Sequence, residues 1–266
     1  MQSCVASQSC GTPFTHRSIR PPTMLRRILA VAALSALTGS LALAQTTPLN
    51  TLTPAEKQAG WKLLFDGTSL SAWRGYQQTD LPPEWMAVDG TMTKVKTTND
   101  IVTREQYGDF ELMVDWKVEL RGNAGIFYRA TEKETKVYWS APEYQIAEDS
   151  LTPDSRNIMT SVAAVYGFYP SKRGVAHKAG EWNTTRILCK GPHVEHWLNG
   201  VLIAQYELWS PEWNLKLHGD PSDSTKKPLK FAPYKDFGMA KVGYIAIQGD
   251  HNGALAMRNI KIRAIK

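Results

Sequence analysis

An acid, an amide and a guanidinium lie close together in the middle of this chain, on two stretches that read as β-strands: G-I-F-Y-R-A at 125–130 and E-Y-Q-I-A at 143–147. Side chains alternate across a strand, so Glu143, Gln145 and Ala147 share one face while Tyr144 and Ile146 share the other. The same parity puts Ile126 and Tyr128 on one side of the preceding strand, with Phe127 and Arg129 opposite. Turning the apolar sides to a core leaves Arg129, Glu143 and Gln145 on one sheet face. A carboxyl beside a cation and a carboxamide can exchange a proton, hold negative charge and bind hydroxyls, which makes this face a candidate binding floor. The competing reading is a cross-strand surface ion pair, worth ~0–1 kcal/mol.

The elements that must carry this face are short strands and turns. Trp61–Phe65 ends at the turn pair Asp66-Gly67, and Trp85–Val88 ends at Asp89-Gly90. Further strands are expected at 100–103, 110–118, 125–130, 143–147, 182–189, 193–198, 201–207, 242–248 and 255–263, with Asn199-Gly200 as the clearest hairpin signal. With almost no helical period, the pattern predicts an all-β sandwich or jelly roll of antiparallel sheets. Three long irregular connections, 148–160, 166–180 and 208–239, exceed the ~12–15 residues usual for a passive loop and are expected to serve the site. Trp209 and Trp213 in the last of these either stack on a sugar or staple the loop to the core.

Of the 266 residues, the first 44 read as removable. Residues 1–23 lack periodicity and read as an over-long start. Residues 24–44 carry Arg26-Arg27, an apolar run and Ala42-Leu43-Ala44, the pattern of a cleaved signal peptide, with a run too short for the ~20 residues of a bilayer span. The expected location is therefore periplasmic or secreted, with no membrane span after cleavage. Residues 45–57 read as a linker in which Thr53, Pro54 and Glu56 start a short helix, and 58–266 as one β-domain. Removing Arg17, Arg20, Arg26 and Arg27 with the leader takes 31 basic residues to 27 against 25 acidic, a net +2 that is no nucleic-acid footprint. Cys189 is then the sole cysteine, so no internal disulfide is available.

An ordered set of motifs carries a resemblance: L-T-P-A-E-K-Q-A-G-W-K-L-L-F-D-G-T-S-L-S-A-W (52–73), G-N-A-G-I-F-Y-R (122–129), P-E-Y-Q-I (142–146), H-W-L-N-G (196–200), G-Y-I-A-I-Q (243–248) and R-N-I-K-I-R (258–263). In collinear order from Leu52 to the C-terminus, the chain resembles the 3-keto-disaccharide hydrolase domain family. The resemblance implies a concanavalin A-like jelly roll in exported bacterial proteins, acting on 3-keto-glycosides as hydrolase, 1,2-lyase or hydratase. A ketone at C3 acidifies the C2 proton; its removal gives an enolate that can expel the group at C1, after which water adds back. That chemistry needs a base near C2, a stabiliser for the C3 oxygen and a proton source for the leaving oxygen. The assignment expected is Glu143 as general base or acid, with Arg129, Gln145 and Asn123 orienting the sugar and stabilising the enolate. A separate oxidoreductase is expected to supply the ketone, since this chain has no dinucleotide motif.

Trp139 adjoins Glu143 across Pro142 and could stack on a pyranose, whereas the tryptophans at 61, 73, 85, 116 and 197 read as core. His251, between two strands, is either a proton donor or metal ligand at the rim or a turn histidine satisfied by backbone; His177 and His196 have the same two readings. No zinc-type spacing occurs, so no cofactor is assigned beyond a possible divalent cation with Asp250 as one oxygen ligand. Glu148 reads as a substrate contact, and as the second carboxylate of a conventional glycosidase only if a β-bulge turns it to the side of Glu143. That two-carboxylate hydrolase, and a non-catalytic carbohydrate-binding module, are the alternatives to 3-keto-glycoside chemistry. A pocket with converging polar groups would favour catalysis; a flat aromatic strip would favour binding alone.

Overall fold

The computed structural model describes residues 48–151 and 153–265. The leader and the segment before it lie outside these residues. In chain order the elements are α1 (Pro54–Gln58), β1 (Lys62–Leu63), β2 (Trp73–Gly75), β3 (Trp85–Val88), β4 (Thr91–Lys94), β5 (Ile101–Thr103), β6 (Phe110–Val118) and β7 (Asn123–Ala130), then β8 (Glu143–Ala147), β9 (Asn183–Lys190), β10 (His193–Leu198), β11 (Val201–Glu207), α2 (Pro211–His218), β12 (Tyr244–Ile247) and β13 (Leu255–Ala264). They form a jelly-roll sandwich of two antiparallel sheets. One has the order β11-β10-β9-β6-β13-β4-β3 with β1 on β13; the other has the order β2-β5-β12-β7-β8.

β6 shows why the layers close. Phe110, Leu112, Val114, Trp116 and Val118 alternate inward and are buried, each stabilising the fold by ~1.5–3 kcal/mol. On its outer face Glu111 is clamped by Arg186 and Arg263, and Arg186 continues to Glu195 at 3.0 Å, a ladder of charge that keeps this sheet face wet and unreactive. Ile126, Tyr128, Tyr144 and Ile146 meet the β6 row from the smaller sheet, as the parity of the sequence predicts. Unlike β6, β7 and β8 are buried on both faces, because loops cover the side away from the core.

Several local expectations need revision. The lead-in before 58 is tied down: Asn50 is buried, its backbone N donates to Asn259 Oδ1 at 2.7 Å and its Oδ1 accepts from Asn259 N at 2.8 Å, while Thr53 and Glu56 close the expected capping box on α1. β2 and β4 escape the strand pattern because each is only three or four residues long. The 208–239 connection contains α2, started by Ser210, whose hydroxyl accepts from Trp213 N at 3.1 Å, and by Pro211 in the first turn. Trp213 is fully buried against Phe168 and Phe237, and Trp209 Nε1 donates to Gly238 O at 2.7 Å, so both staple their loop. Trp73, Trp85 and Trp116 are core, but Trp61 and Trp197 are half-buried on the outer face under arginine and lysine side chains.

His196 is a core residue. Its Nδ1 lies 3.1 Å from Ala163 O and its Nε2 lies 2.8 Å from the Tyr128 hydroxyl, which is 2.6 Å from Tyr206 Oη. A carbonyl accepts only, so Nδ1 carries the hydrogen and Nε2 accepts from Tyr128. Burial pushes the ring down from 6.5 to about 4, holding it neutral. In the unfolded chain the ring takes up a proton below its ordinary value of 6.5, so the stability it contributes is present above that value and is lost as pH falls from 6.5 towards 4. His196→Gln should unfold with a lower urea midpoint at pH 7, by about 1–3 kcal/mol, and with a shallower further drop across that acid window than wild type.

Candidate active site

β8 is the edge strand of the smaller sheet, and an unpaired edge is both sticky and labile. Its free side is covered by the segment 161–166: Ala163 N donates to Gln145 O at 2.8 Å, Gln145 N to Ala164 O at 3.2 Å and Tyr166 N to Glu143 O at 3.1 Å. On the other side β8 pairs with β7, placing Phe127 opposite Glu143, Gly125 opposite Gln145 and Asn123 opposite Ala147. Cross-strand partners point the same way, so Glu143, Gln145 and Asn123 converge on the face turned from the core. There they line a cavity of about 270 Å³ with Trp139, Asp154, Tyr166, Lys230, Gln248, Asp250 and His251. That volume is near the lower end of ~300–1,000 Å³ for small-molecule sites and suits one sugar ring.

Arg129 is not in it. At φ +53° the chain leaves the regular strand, and the register of β7 against β12 shifts between Tyr244 and Ala246. This bulge turns the guanidinium to the sheet end, where it is 3 % exposed, pairs with Asp109 at 3.0 Å and donates to Gly108 O and Gly191 O at 2.9 and 2.8 Å. The parity reading assumed an uninterrupted strand, and one inserted residue cancels it. Glu148 also lies outside the cavity, buried at the end of β8, where it caps the next turn by accepting from Ser150 N, the Ser150 hydroxyl and Leu151 N. His177 is a turn residue: its Nδ1 sits 2.7 Å from Trp182 O and its backbone N donates to Asn183 Oδ1 at 2.8 Å.

Four of the residues that sequence reasoning missed come from the long connections it marked as functional, whereas Tyr138 precedes Trp139 and Gln248 ends an expected strand. Asp154 and Tyr166 bracket the first two loops, and Lys230 and Phe231 belong to the third. Nothing in the spacing of these four announces them, because each is brought in by how its loop folds back over the sheet. Trp139 stacks on Tyr234 with centroids 4.4 Å apart and contacts Phe231 edge-on, forming an aromatic wall beside the acid.

Glu143 is 9 % exposed. Burial is the chief reason its carboxyl is pushed up to about 8; Lys230 opposes the rise, and Asp154, Asp100 and Asp250 add to it. The amides beside it form a directed chain. Asp154 accepts from Tyr166 Oη and Asn123 Nδ2, both at 3.1 Å, which leaves Asn123 Oδ1 to accept from Gln145 Nε2 at 3.1 Å. Gln145 Oε1 then faces Glu143, a contact that bonds only a protonated carboxyl. Turned over, the Gln145 amide aims its nitrogen at Glu143 Oε1, 3.0 Å away, and at Ala124 O, 3.3 Å away.

The opposite wall is the segment 248–251, held from below. Lys94 is fully buried, pulled down by desolvation, and donates to His251 O at 2.5 Å and Gly249 O at 3.5 Å. Asp100, which burial pushes up to about 6, accepts from Gly249 N at 2.8 Å. The wall turns two buried oxygens without partners into play, Gln248 Oε1 and Asp250 Oδ1. Such atoms are costly unless something donates to them. Among the described residues no group of three or more His, Cys, Asp or Glu is arranged to hold a metal ion, and Lys136 stands 3.6 Å from Asp250 Oδ2, a cation already beside the proposed ligand.

An antiparallel jelly roll with a polar cavity on its smaller sheet is an architecture that carbohydrate-active proteins use. Residues 60–263 match the profile of the 3-keto-alpha-glucoside-1,2-lyase-like domain, and the chain belongs to that family. It is 29% identical over 229 residues to a 3-keto-disaccharide hydrolase of Bacteroides thetaiotaomicron, covering 77% of this chain and 79% of that protein. Two crystal structures of candidate glycosyl hydrolases from Parabacteroides distasonis superpose with TM-scores of 0.74 and 0.61 at 28% and 29% identity, covering 82% and 77% of this chain and 100% and 99% of theirs.

Gly125 explains how a carboxyl fits against β7: a Cβ there would stand 2.8 Å from Glu143 Cδ and 2.9 Å from its Cγ. Gly125→Ala should keep the far-ultraviolet circular dichroism of the fold while displacing Glu143, so that any carbohydrate turnover depending on this carboxyl falls at least ~100-fold.

Proposed function

We propose that this protein is an exported enzyme that cleaves 3-keto-glycosides, with Glu143 abstracting the C2 proton. The observation that carries the reading is a nearly buried carboxyl raised towards neutrality at the floor of a ring-sized cavity, the state that suits a general base acting on a carbon acid near pH 7. Export rests on the leader pattern at 24–44, and the name of the Bacteroides relative supports the substrate class.

The ketone at C3 makes the C2 hydrogen acidic. Glu143 takes that proton, and the electron pair moves to the C3 oxygen as an enolate. Lys230, the cation lining the same cavity, takes over the charge-stabilising role that Arg129 is too distant to play. The enolate collapses to the ketone with a double bond between C1 and C2, and the C1–O bond breaks. The departing oxygen receives a proton from the His251 side of the wall, where Nε2 lies 4.0 Å from Asp250 Oδ1. Water then adds across the double bond: its oxygen bonds to C1, the proton it releases restores the group on the His251 side that protonated the departing oxygen, and Glu143 returns its proton to C2. Elimination alone is the lyase outcome, and elimination followed by hydration is net hydrolysis. The ketone has to come from a separate oxidoreductase.

A second reading has a specific support: Asp154 and Asp250 line the same cavity as Glu143, so a two-carboxylate hydrolysis of unoxidised glycosides has candidate partners. Incubation with a glucoside and its 3-keto form, followed by product analysis, separates the two. Turnover of the 3-keto form only, reduced by ~10³-fold or more in Glu143→Gln, is expected for loss of the base; activity confined to the unoxidised sugar would displace the proposal.

The ionised base is the active form, so kcat/KM should rise with pH towards about 8. The Asp154 charge helps raise Glu143, so Asp154→Asn should move that limb to lower pH. Folding shows the mirror effect. The unfolded carboxyl ionises from 4.5 while the folded one holds its proton to about 8, so Glu143 withdraws stability progressively as pH rises between those values. Glu143→Gln should therefore melt higher than wild type at pH 8, with the difference shrinking by pH 4.5.

A further inference from the structure

A second cavity of about 240 Å³ adjoins the first, and Asp250 belongs to the walls of both. Building on the reading of the first cavity as the site of the oxidised ring, we propose that the second is a subsite for the departing sugar of a disaccharide, recognised chiefly by the side chains of Gln78 and Asn99.

Its lining has the chemistry of a neutral polyol. Gln78 and Asn99 supply carboxamides, which donate and accept as sugar hydroxyls do, and Thr135 supplies a hydroxyl. Neither side-chain amide is engaged in a hydrogen bond with another described residue, whereas the neighbouring Gln77 amide is spent on Glu132 O and Glu134 O at 3.0 and 2.9 Å. Asp100 and Asp250 outnumber the one lysine of the lining, Lys136, which is itself paired with Asp250, so a neutral polyol suits the cavity better than a phosphate or carboxylate. The aromatic lining residue, Tyr76, is 8 % exposed with its hydroxyl given to Thr131 O and Glu134 O, so a flat aromatic leaving group finds no face to stack on.

The rim is built before any ligand arrives. Arg74 grips Glu132 with two bonds of 2.7 Å, and Gln77 N donates to the same carboxylate at 2.6 Å, tying the turn after β2 to the loop after β7. Gly75 leaves room for Gln78 to fold back over β2, where its Cβ and Cδ come within 3.0 Å of the position a side chain on Gly75 would take. Asn99 is fixed through its carbonyl, which accepts from Trp85 Nε1 at 3.1 Å. A ring seated here shares the Asp250 wall with one over Glu143, so the bond that joins the two rings would pass beside Asp250 and its neighbour Lys136.

The test uses the Glu143→Gln protein labelled with ¹⁵N, titrated with an α-linked 3-keto-glucose disaccharide and with methyl 3-keto-α-glucoside. The side-chain amide resonances of Gln78 and Asn99 should shift with the disaccharide and stay in place with the methyl glycoside. In the otherwise unmodified enzyme, Gln78→Ala and Asn99→Ala should each raise KM for the 3-keto-disaccharide about three- to tenfold, the loss of one neutral hydrogen bond, with kcat and all methyl-glycoside kinetics unchanged. Amide resonances that ignore the disaccharide, or variants that impair both substrates equally, overturn the subsite. An enzyme that turns over neither 3-keto substrate defeats the reading of the first cavity instead, and the resonance shifts still decide the second.

Discussion

A carboxyl buried on the outer face of a β-sheet is the constraint around which the rest of the molecule is arranged. A bare sheet face would leave Glu143 hydrated, with an ordinary acidity and an exposed edge strand beside it. Three connections instead fold over β7 and β8, and the segment 161–166 pairs with the β8 edge while bringing Tyr166 against the acid. The space for the carboxyl is made on the strand itself by the missing side chain of Gly125. Desolvation then does the chemical work of raising the acid, with nearby carboxylates adding to it and Lys230 limiting it.

The two faces of the sandwich handle charge in opposite ways. On the larger sheet, Glu111, Arg186, Glu195 and Arg263 neutralise one another in a partly exposed ladder. Beneath the cavity, buried charges are satisfied by backbone: Lys94 of β4 by carbonyls of the 248–251 wall and Asp100 by the Gly249 amide. The wall is thereby rigid at its base and presents unpaired oxygens at its top, Gln248 Oε1 and Asp250 Oδ1. Preorganised polar atoms awaiting a donor distinguish a binding site from a merely polar surface.

Membership of the 3-keto-alpha-glucoside-1,2-lyase-like family and the geometry of the cavity point to the same kind of chemistry from independent directions. In the proposed mechanism a single carboxyl of raised pKa serves both proton removal and proton return. The enclosed floor also separates this site from a lectin-like strip: Trp139 is an end wall braced by Tyr234, and the acid lies at the bottom.

Strand parity was legible in the residues alone. Apolar alternation located β6, β8, β10 and β11 to the residue, placed Ile126, Tyr128, Tyr144 and Ile146 in the core, and set Glu143 and Gln145 on the opposite face. A period of two is a local property, and burial enforces it wherever one side of a strand meets a core. The fate of Arg129 was not local: a bulge at one residue, fixed by pairing with β12, turned it away to Asp109. Asp154, Tyr166, Lys230 and Asp250 likewise became neighbours of Glu143 only through loop closure. The chain by itself determined which side chains face away from the core; the tertiary structure decided which of them meet, because loops and bulges answer to contacts between residues far apart in sequence rather than to any repeat along it.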